Sequence, residues 1–465
     1  MQINLLEIYK HISWKIRYEA GDMPYPPVLF WKKNILFSDI IASWKNTIKI
    51  IKKNGKEHNM GLYVHLPFCY THCFFCTCVM KVSHNEDEYE EYLDMLESEA
   101  QKYQEVFWEV QFNTVYVWWG TPTILTEKQL ERFYSILEKY FNIGNVIQIM
   151  TEWSPYTTTL EKLKILRAHW VNKLTFWVQS LDGVTLKQNN RAQQIHHVTE
   201  AVKNARAVGI QYINLDIMAG LPWQTIESFE ETIKIIESEI KPTTVHVNGF
   251  LPTKNTIFDK TKQEYTKEHI ALRNKMREIG NYLEVEKNAT HHSLQTHNIQ
   301  LYNAKNFNSS ILWLGYWAIS HAYGERHYAK ISFPEYKSWI QKWEDITFSW
   351  YTVTIEDEMR TYAINNIRWG ISSKKFFELF SQSLDRSILY KKIELLLKLR
   401  VIFRYTDDEW IICFKIAKDT TIISTVYAKF FYSDSLTREC IKVFLKDNPD
   451  PKELDDKLEL FFTSD

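Results

Sequence analysis

The sequence predicts an α/β protein: a partial (β/α) TIM-like barrel core followed by a mostly helical, winged-helix-like C-terminal domain. Three observations carry this prediction. Six short apolar runs, at 62–68, 114–119, 146–153, 173–180, 212–219 and 243–250, alternate with amphipathic stretches at spacings suited to βα units. The runs are near-continuously apolar, the pattern of parallel strands buried on both faces. Beyond about residue 255 the alternation fades, and from about 340 the chain reads as helices with a short strand pair in "VIFRYTDDEWIICFKI".

Residues 1–60 form an N-terminal segment, mostly helical and broken by "MPYPPV" at 23–28. Residues 61–330 hold the barrel core and its extension. Within them, 126–141 places Leu130, Phe133, Ile136, Leu137 and Phe141 at the three-and-four spacing of one buried helical face. The stretches 90–107 and 198–209 behave in the same way. The segment 311–328 is apolar and then turn-rich. Residues 340–465 form the C-terminal accessory domain.

The 465 residues are 45% hydrophobic and 24% charged, with a net charge of -1. Near-neutrality gives no general electrostatic case for nucleic acid or an anionic membrane. No apolar run reaches the roughly 18–20 residues of a membrane helix, and the first residues lack the apolar core of a signal peptide. A cytoplasmic monomer is expected.

Four of the six cysteines, Cys69, Cys73, Cys76 and Cys78, crowd into "CYTHCFFCTC". In a chain of this character such clustering points to metal ligation rather than disulfides. Three thiolates within eight residues can wrap one face of an iron–sulfur cubane and leave the fourth iron to a non-protein ligand. The alternative is structural zinc completed by His65 or His72, although the second C-x2-C pair usual for zinc is missing. Cys78 is open between a fourth ligand, a catalytic thiol and a packing residue.

The segment "GLYVHLPFCYTHCFFCTC", with C-x3-C-x2-C directly after the first barrel strand, resembles the radical S-adenosylmethionine (SAM) enzymes. It is most similar to the oxygen-independent coproporphyrinogen III oxidase family and its haem-chaperone relatives. The resemblance implies a [4Fe–4S] cluster on Cys69, Cys73 and Cys76. It also implies SAM as second cofactor, cleaved to a 5'-deoxyadenosyl radical that abstracts hydrogen from a tetrapyrrole or haem-like small molecule. Tyr63 and Phe75 match aromatics beside the cluster and adenine. Trp119, Gly120 and Thr121 lie in "WWGTPT", which matches a segment whose backbone binds the SAM amino group. Glu152 matches an acidic SAM contact, Gln179 and Asp216 match ribose contacts, and Arg191 matches the arginine that pairs with the SAM carboxylate. A low-potential electron donor of flavodoxin or ferredoxin type is the implied protein partner. The implied reaction is oxidative decarboxylation or another modification of a tetrapyrrole, with haem binding by a chaperone on the same scaffold as the alternative. The stretch 296–315 is closer to the chaperone branch, and "FFCTC" to the oxidase.

One compositional feature is unusual: 17 tryptophans outnumber 13 glycines, where glycine averages ~7% of residues. Trp118, Trp119, Trp153, Trp170, Trp177, Trp223, Trp313, Trp317, Trp350 and Trp369 fall in glycine-like settings. Either they are genuine and the site is rebuilt or inactive, or they are UGA codons that the cell reads as glycine. The second reading accounts for composition and position together.

Overall fold

The alternating runs become neighbouring strands of one open sheet in the computed structural model. Described residues lie between 8 and 447, leaving aside 14, 16–24, 55–58, 79, 119, 211, 253–255, 262–264, 288–308, 317–318, 330–332, 343–347, 368–369, 407–411 and 417–427. The strands in chain order are β1 (Lys32–Ile35), β2 (Asn59–His65), β3 (Phe68–Cys69), β4 (Lys81–Val82), β5 (Thr114–Trp118), β6 (Gln148–Trp153), β7 (Lys173–Gln179) and β8 (Tyr212–Ala219). They continue as β9 (Thr244–Gly249), β10 (Ser309–Leu314), β11 (Ile319–Ala322), β12 (Arg326–Ala329), β13 (Phe348–Thr352), β14 (Ile371–Ser372), β15 (Ile402–Thr406) and β16 (Ile412–Ile416).

The main sheet runs β1-β13-β12-β11-β10-β2-β5-β6-β7-β8-β9. From β10 to β9 every neighbouring pair is parallel. The remaining four strands extend the sheet antiparallel beyond β10. β9 and β1 are its free edges, so the barrel is partial. Helices follow the strands through short caps. Thr126 accepts from the Gln129 N–H at 3.3 Å, and the Gln129 side chain accepts from the Thr126 N–H at 3.0 Å, opening helix Glu127–Tyr140. Thr159 and Asp182 cap helices Leu160–Ala168 and Gly183–Gln188 by accepting from a backbone N–H, and Thr225 opens Ile226–Ile235 with a second reciprocal box.

Strand alternation sorts the side chains onto two faces. Leu62, Val64, Val115, Val117, Ile149, Leu174, Phe176, Leu215 and Ile217 point to the helices and form the main core. Tyr63, Tyr116, Met150 and Ile311 face the lumen, with Trp118 and Trp313 packed on them. Across β6 to β9 the lumen face turns polar, carrying Glu152, Lys173, Asn214, Asp216 and Thr244. Both faces of these strands are largely buried as expected, but the lumen face is apolar only in part. A barrel that keeps polar groups inside needs hydrogen bonds for them, and these appear at the site below.

Two further differences from the sequence reading stand out. A seventh parallel strand, β10, pairs with β2 from Ser309↔Asn59 to Leu314↔Val64. Its pairing is remote in sequence and no amphipathic helix follows it directly, so periodicity did not mark it. The N-terminal segment, read as mostly helical, contributes the edge strand β1 as well as helix Phe37–Asn54. Trp44 of that helix is fully buried and donates its indole N–H to the Tyr328 hydroxyl at 2.8 Å.

At the C-terminal end, β14, β16 and β15 form a separate antiparallel sheet. It packs with helices Ile355–Asn366, Ser373–Phe380 and Tyr390–Lys398 around Tyr362, Phe376, Ile393, Leu396 and Phe414. Ile8, Ile12 and Tyr25 pack against Tyr432, Leu436 and Cys440, tying the two chain ends together. Among the described residues no helix is long and apolar enough to cross a membrane.

Candidate cofactor site

Chemistry in a βα sheet collects where the strands end and the chain turns into loops. The cysteine loop leaves β2 at this edge. It is fixed at both sides: the Phe74 N–H donates to the Asn189 carbonyl at 3.2 Å, and the Phe258 N–H donates to the Phe74 carbonyl at 3.2 Å. Asn190 Nδ2 adds a bond to the His72 carbonyl at 3.0 Å. All four thiols are free. Cys69 Sγ lies 3.3 Å from Thr121 Oγ1, and Arg191 Nη1 lies 3.5 Å from Cys73 Sγ. Burial pushes the Cys69 thiol up to about 12 and raises Cys73. A hydrogen bond shared by Cys76 and Cys78 lowers the first and raises the second.

Gly120 ends β5 under this loop. The Thr121 N–H donates to the Phe68 carbonyl at 2.6 Å, drawing the two segments together. Gly120 sits at φ +62, and a Cβ there would come within 2.1 Å of the Leu66 carbonyl oxygen and 2.7 Å of the Phe68 N and O. Both conformation and space demand glycine. Gly120→Ala is expected to destabilise the fold by about 2–5 kcal/mol through combined backbone strain and overpacking. A fall in the denaturant midpoint measures it, and an unchanged midpoint would contradict the close approach.

The lumen beneath holds a charged layer. Glu152 accepts from the Tyr116 hydroxyl and, at 2.5 Å, from the Trp177 indole N–H. Burial, then the nearby Asp216 charge, raise its carboxyl well above the usual range. Asp216 accepts from Asn214 Nδ2 at 2.7 Å, and Asn214 Oδ1 in turn accepts from Thr244 Oγ1 at 2.9 Å. His246 Nδ1 lies 3.7 Å from Asp216. Lys173 is buried on the same face, and burial lowers its ammonium to about 7 against the pull of Asp216 and Glu152.

Sequence reasoning missed Lys173, Asn214 and His246. The available signal was a lysine, an asparagine and a histidine inside apolar strand runs. Lys173 has a thermodynamic consequence. Its folded pKa lies below the ordinary lysine value near ~10.4, so the unfolded chain binds the extra proton between the two. Its contribution is full above ~10.4 and is lost as pH falls to about 7. Lys173→Met is therefore expected to flatten the rise in stability between pH 7 and 10, by a few kcal/mol at most. Urea midpoints of both proteins across that range test it, and parallel curves would refute it.

Several expected residues converge here. Tyr63 stacks on Trp313 at 3.9 Å and meets Tyr116 edge-on. Gln179 sits at φ 65 where the β7–β8 register shifts. Arg191 donates to the Trp177 carbonyl and, at 3.0 Å, to Gln193 Oε1. Phe75 packs instead in an apolar cluster with Leu221, Phe250 and Phe258, with Cys73 against it. Trp119 lies outside the described residues, as do 296–308 of the stretch read as chaperone-like.

Tyr63 Oη, Gln179 Oε1 and Arg191 Nε are buried with no hydrogen-bond partner. Orphaned polar atoms of this kind are costly unless a ligand completes them. Phenol, amide and guanidinium together suit a molecule that carries amino, carboxylate and hydroxyl groups. Among the described residues no group of three or more His, Cys, Asp or Glu is arranged to hold a single metal ion. A cubane would spread its thiolates over separate irons rather than gather them on one.

Comparison with known proteins places the sequence and the fold. Residues 63–236 match the model of the Radical SAM superfamily. The oxygen-independent coproporphyrinogen III oxidase of Salmonella typhimurium is 33% identical over 199 residues, 42% of this chain and 43% of that protein. The chain thus matches less than half the length of such oxidases. The heme chaperone HemW of Bacillus subtilis is 26% identical over 343 residues, 70% of this chain and 87% of that protein. Among solved structures, coproporphyrinogen III oxidase (HemN) from Escherichia coli superposes with a TM-score of 0.72 at 20% identity, over 88% of this chain and 96% of that one. The chain therefore carries a radical SAM domain, set in a fold of the HemN type.

Proposed function

We propose that the protein is a radical SAM oxidoreductase acting on a tetrapyrrole, the substrate class of the oxidases it resembles. The observation that carries this reading is the set of unpartnered buried polar atoms, Tyr63 Oη, Gln179 Oε1 and Arg191 Nε, the last on a guanidinium that reaches Cys73. Cys69, Cys73 and Cys76 would hold a [4Fe–4S] cluster. Tyr63, Gly120, Thr121, Glu152, Gln179, Arg191 and Asp216 would line the SAM site; Trp119, outside the described residues, belongs to the same proposed set. Bound there, cluster and SAM supply one-electron chemistry that removes hydrogen from an unactivated carbon.

The chain's own residues do the rest. Arg191 offers a planar cation to a carboxylate while its Nη2 stays bonded to the Trp177 carbonyl and Gln193 Oε1, so its orientation is preset. Glu152 and Asp216 accept from donors, and the Thr244–Asn214 chain holds Asp216 in place. The apolar cluster around Phe75 and Phe250 covers one side of Cys73. A low-potential flavodoxin- or ferredoxin-type protein would supply electrons.

One observation favours a second reading, a haem chaperone: the HemW match spans twice the share of its relative that the oxidase match does. Anaerobic incubation of reconstituted protein with coproporphyrinogen III, SAM and a reductant separates the two. Vinyl product and released methionine support the enzyme. Stoichiometric haem binding with no product supports the chaperone.

A further inference from the structure

Two tryptophans occupy backbone positions built for glycine. Helix Leu160–Ala168 ends with the Trp170 N–H donating to the Arg167 carbonyl at 3.2 Å and the Val171 N–H to the Leu166 carbonyl at 3.0 Å. This pair of bonds is a Schellman ending, whose left-handed residue is usually glycine. Here that residue is Trp170, at φ 62. Helix Ile195–Ala207 closes another βα unit through the same bonds, Gly209 to Arg206 at 3.0 Å and Ile210 to Ala205 at 3.0 Å. There the left-handed residue is Gly209, at φ 88. In both units the residue after the turn, Val171 or Ile210, is fully buried. Asn190 and Arg400 take this place elsewhere. Asparagine bonds locally in that conformation, and arginine is long and flexible. An indole has neither property, and Trp170 is 69% exposed, so packing gives little in return.

Trp223 repeats the case in a different turn. The Gln224 N–H donates to the Leu221 carbonyl at 3.0 Å, with Pro222 second and Trp223 third at φ 63. Proline followed by positive φ is a type II turn, whose third position takes glycine or asparagine. Trp223 is 47% exposed. Other tryptophans are fitted to their places. Trp31 donates to the Pro26 carbonyl at 2.8 Å, and Trp44 donates to Tyr328 from the core.

We propose that the tryptophans of this sequence are of two kinds. Trp31 and Trp44 are tryptophan in the protein the native cell makes, whereas positions 170 and 223 are glycine, read from a UGA codon. The assignment covers positions 170 and 223 alone, because they are the described tryptophans at positive φ. Trp177 donates to Glu152 and Trp313 stacks on Tyr63, and neither carries that backbone signature.

Peptide mass spectrometry of the protein purified from its native cells is the direct test. Peptides covering 170 and 223 are expected to carry the glycine mass, and those covering 31 and 44 the tryptophan mass. Tryptophan at 170 or 223, or glycine at 31 or 44, overturns the division. In recombinant protein, Trp170→Gly and Trp223→Gly are each expected to raise the thermal midpoint. Trp108→Gly is not: Trp108 is also exposed but sits at φ -49 at a helix end. A fall in midpoint for the first two overturns the conformational basis. Neither readout depends on iron or SAM, so this proposal and the cofactor reading fail separately.

Discussion

Cys76→Ala is expected to reduce the iron and sulfide retained after anaerobic reconstitution to background, and Cys69→Ala and Cys73→Ala should do the same. The three thiols stand on one loop anchored to the Asn189 and Phe258 backbones, so the scaffold survives loss of one side chain. A cluster held by three protein thiolates has no spare ligand, and removing one exposes a second iron to solvent. Cys78→Ala should retain iron, because the proposed set does not include it. Cys440 packs between the chain termini, far from this loop in the fold, and Cys440→Ala should also retain iron while losing some stability. Iron and sulfide assays with visible absorption check the series. Full iron in the Cys76 variant would sink the ligand assignment.

Arg191→Met is expected to weaken SAM binding by about 10- to 100-fold, the worth of one charge-assisted hydrogen bond or pair. The guanidinium is bonded to the Trp177 carbonyl and Gln193 Oε1 and approaches Cys73, while Nε is left without a partner. Its orientation is therefore set before any ligand arrives, and little entropy remains to be lost on binding. Arg191→Lys should recover little, since one ammonium cannot keep both internal bonds and also meet a carboxylate as a fork. Calorimetric titration of SAM into reconstituted protein, with iron content held equal, measures it. Equal affinity in Arg191→Met and the parent would remove Arg191 from the site.

The elements most legible in the sequence were those whose information is local. Capping residues such as Thr126 with Gln129 sit beside the helices they start, and one buried face of 127–140 is written in its spacing. The cysteine loop is local too, since all four thiols fall within ten residues. β10 and β1 were not legible, because each exists only by pairing with strands far away in the chain, β2 and β13. Lys173 was hidden for a related reason. Its place on the strand turns it into the lumen opposite Met150, where the charges of Asp216 and Glu152 reach it, and no neighbour in sequence reports that.

By itself the sequence determined the alternation of strand and helix, the place of the cysteine loop after the first barrel strand, and the imbalance between tryptophan and glycine. These follow from residue spacing and composition, which need no partner segment. Tertiary structure alone decided which side chains share the lumen, that Tyr63, Gln179 and Arg191 are buried with unpartnered polar atoms, and that the parallel sheet stays open at β9. It also separated tryptophans seated at φ near 62 from those bonded in place. The physical reason is that a hydrogen bond, a backbone angle and a shared dielectric are properties of atoms brought close by folding. The order of residues constrains them only through the register and packing of the whole sheet.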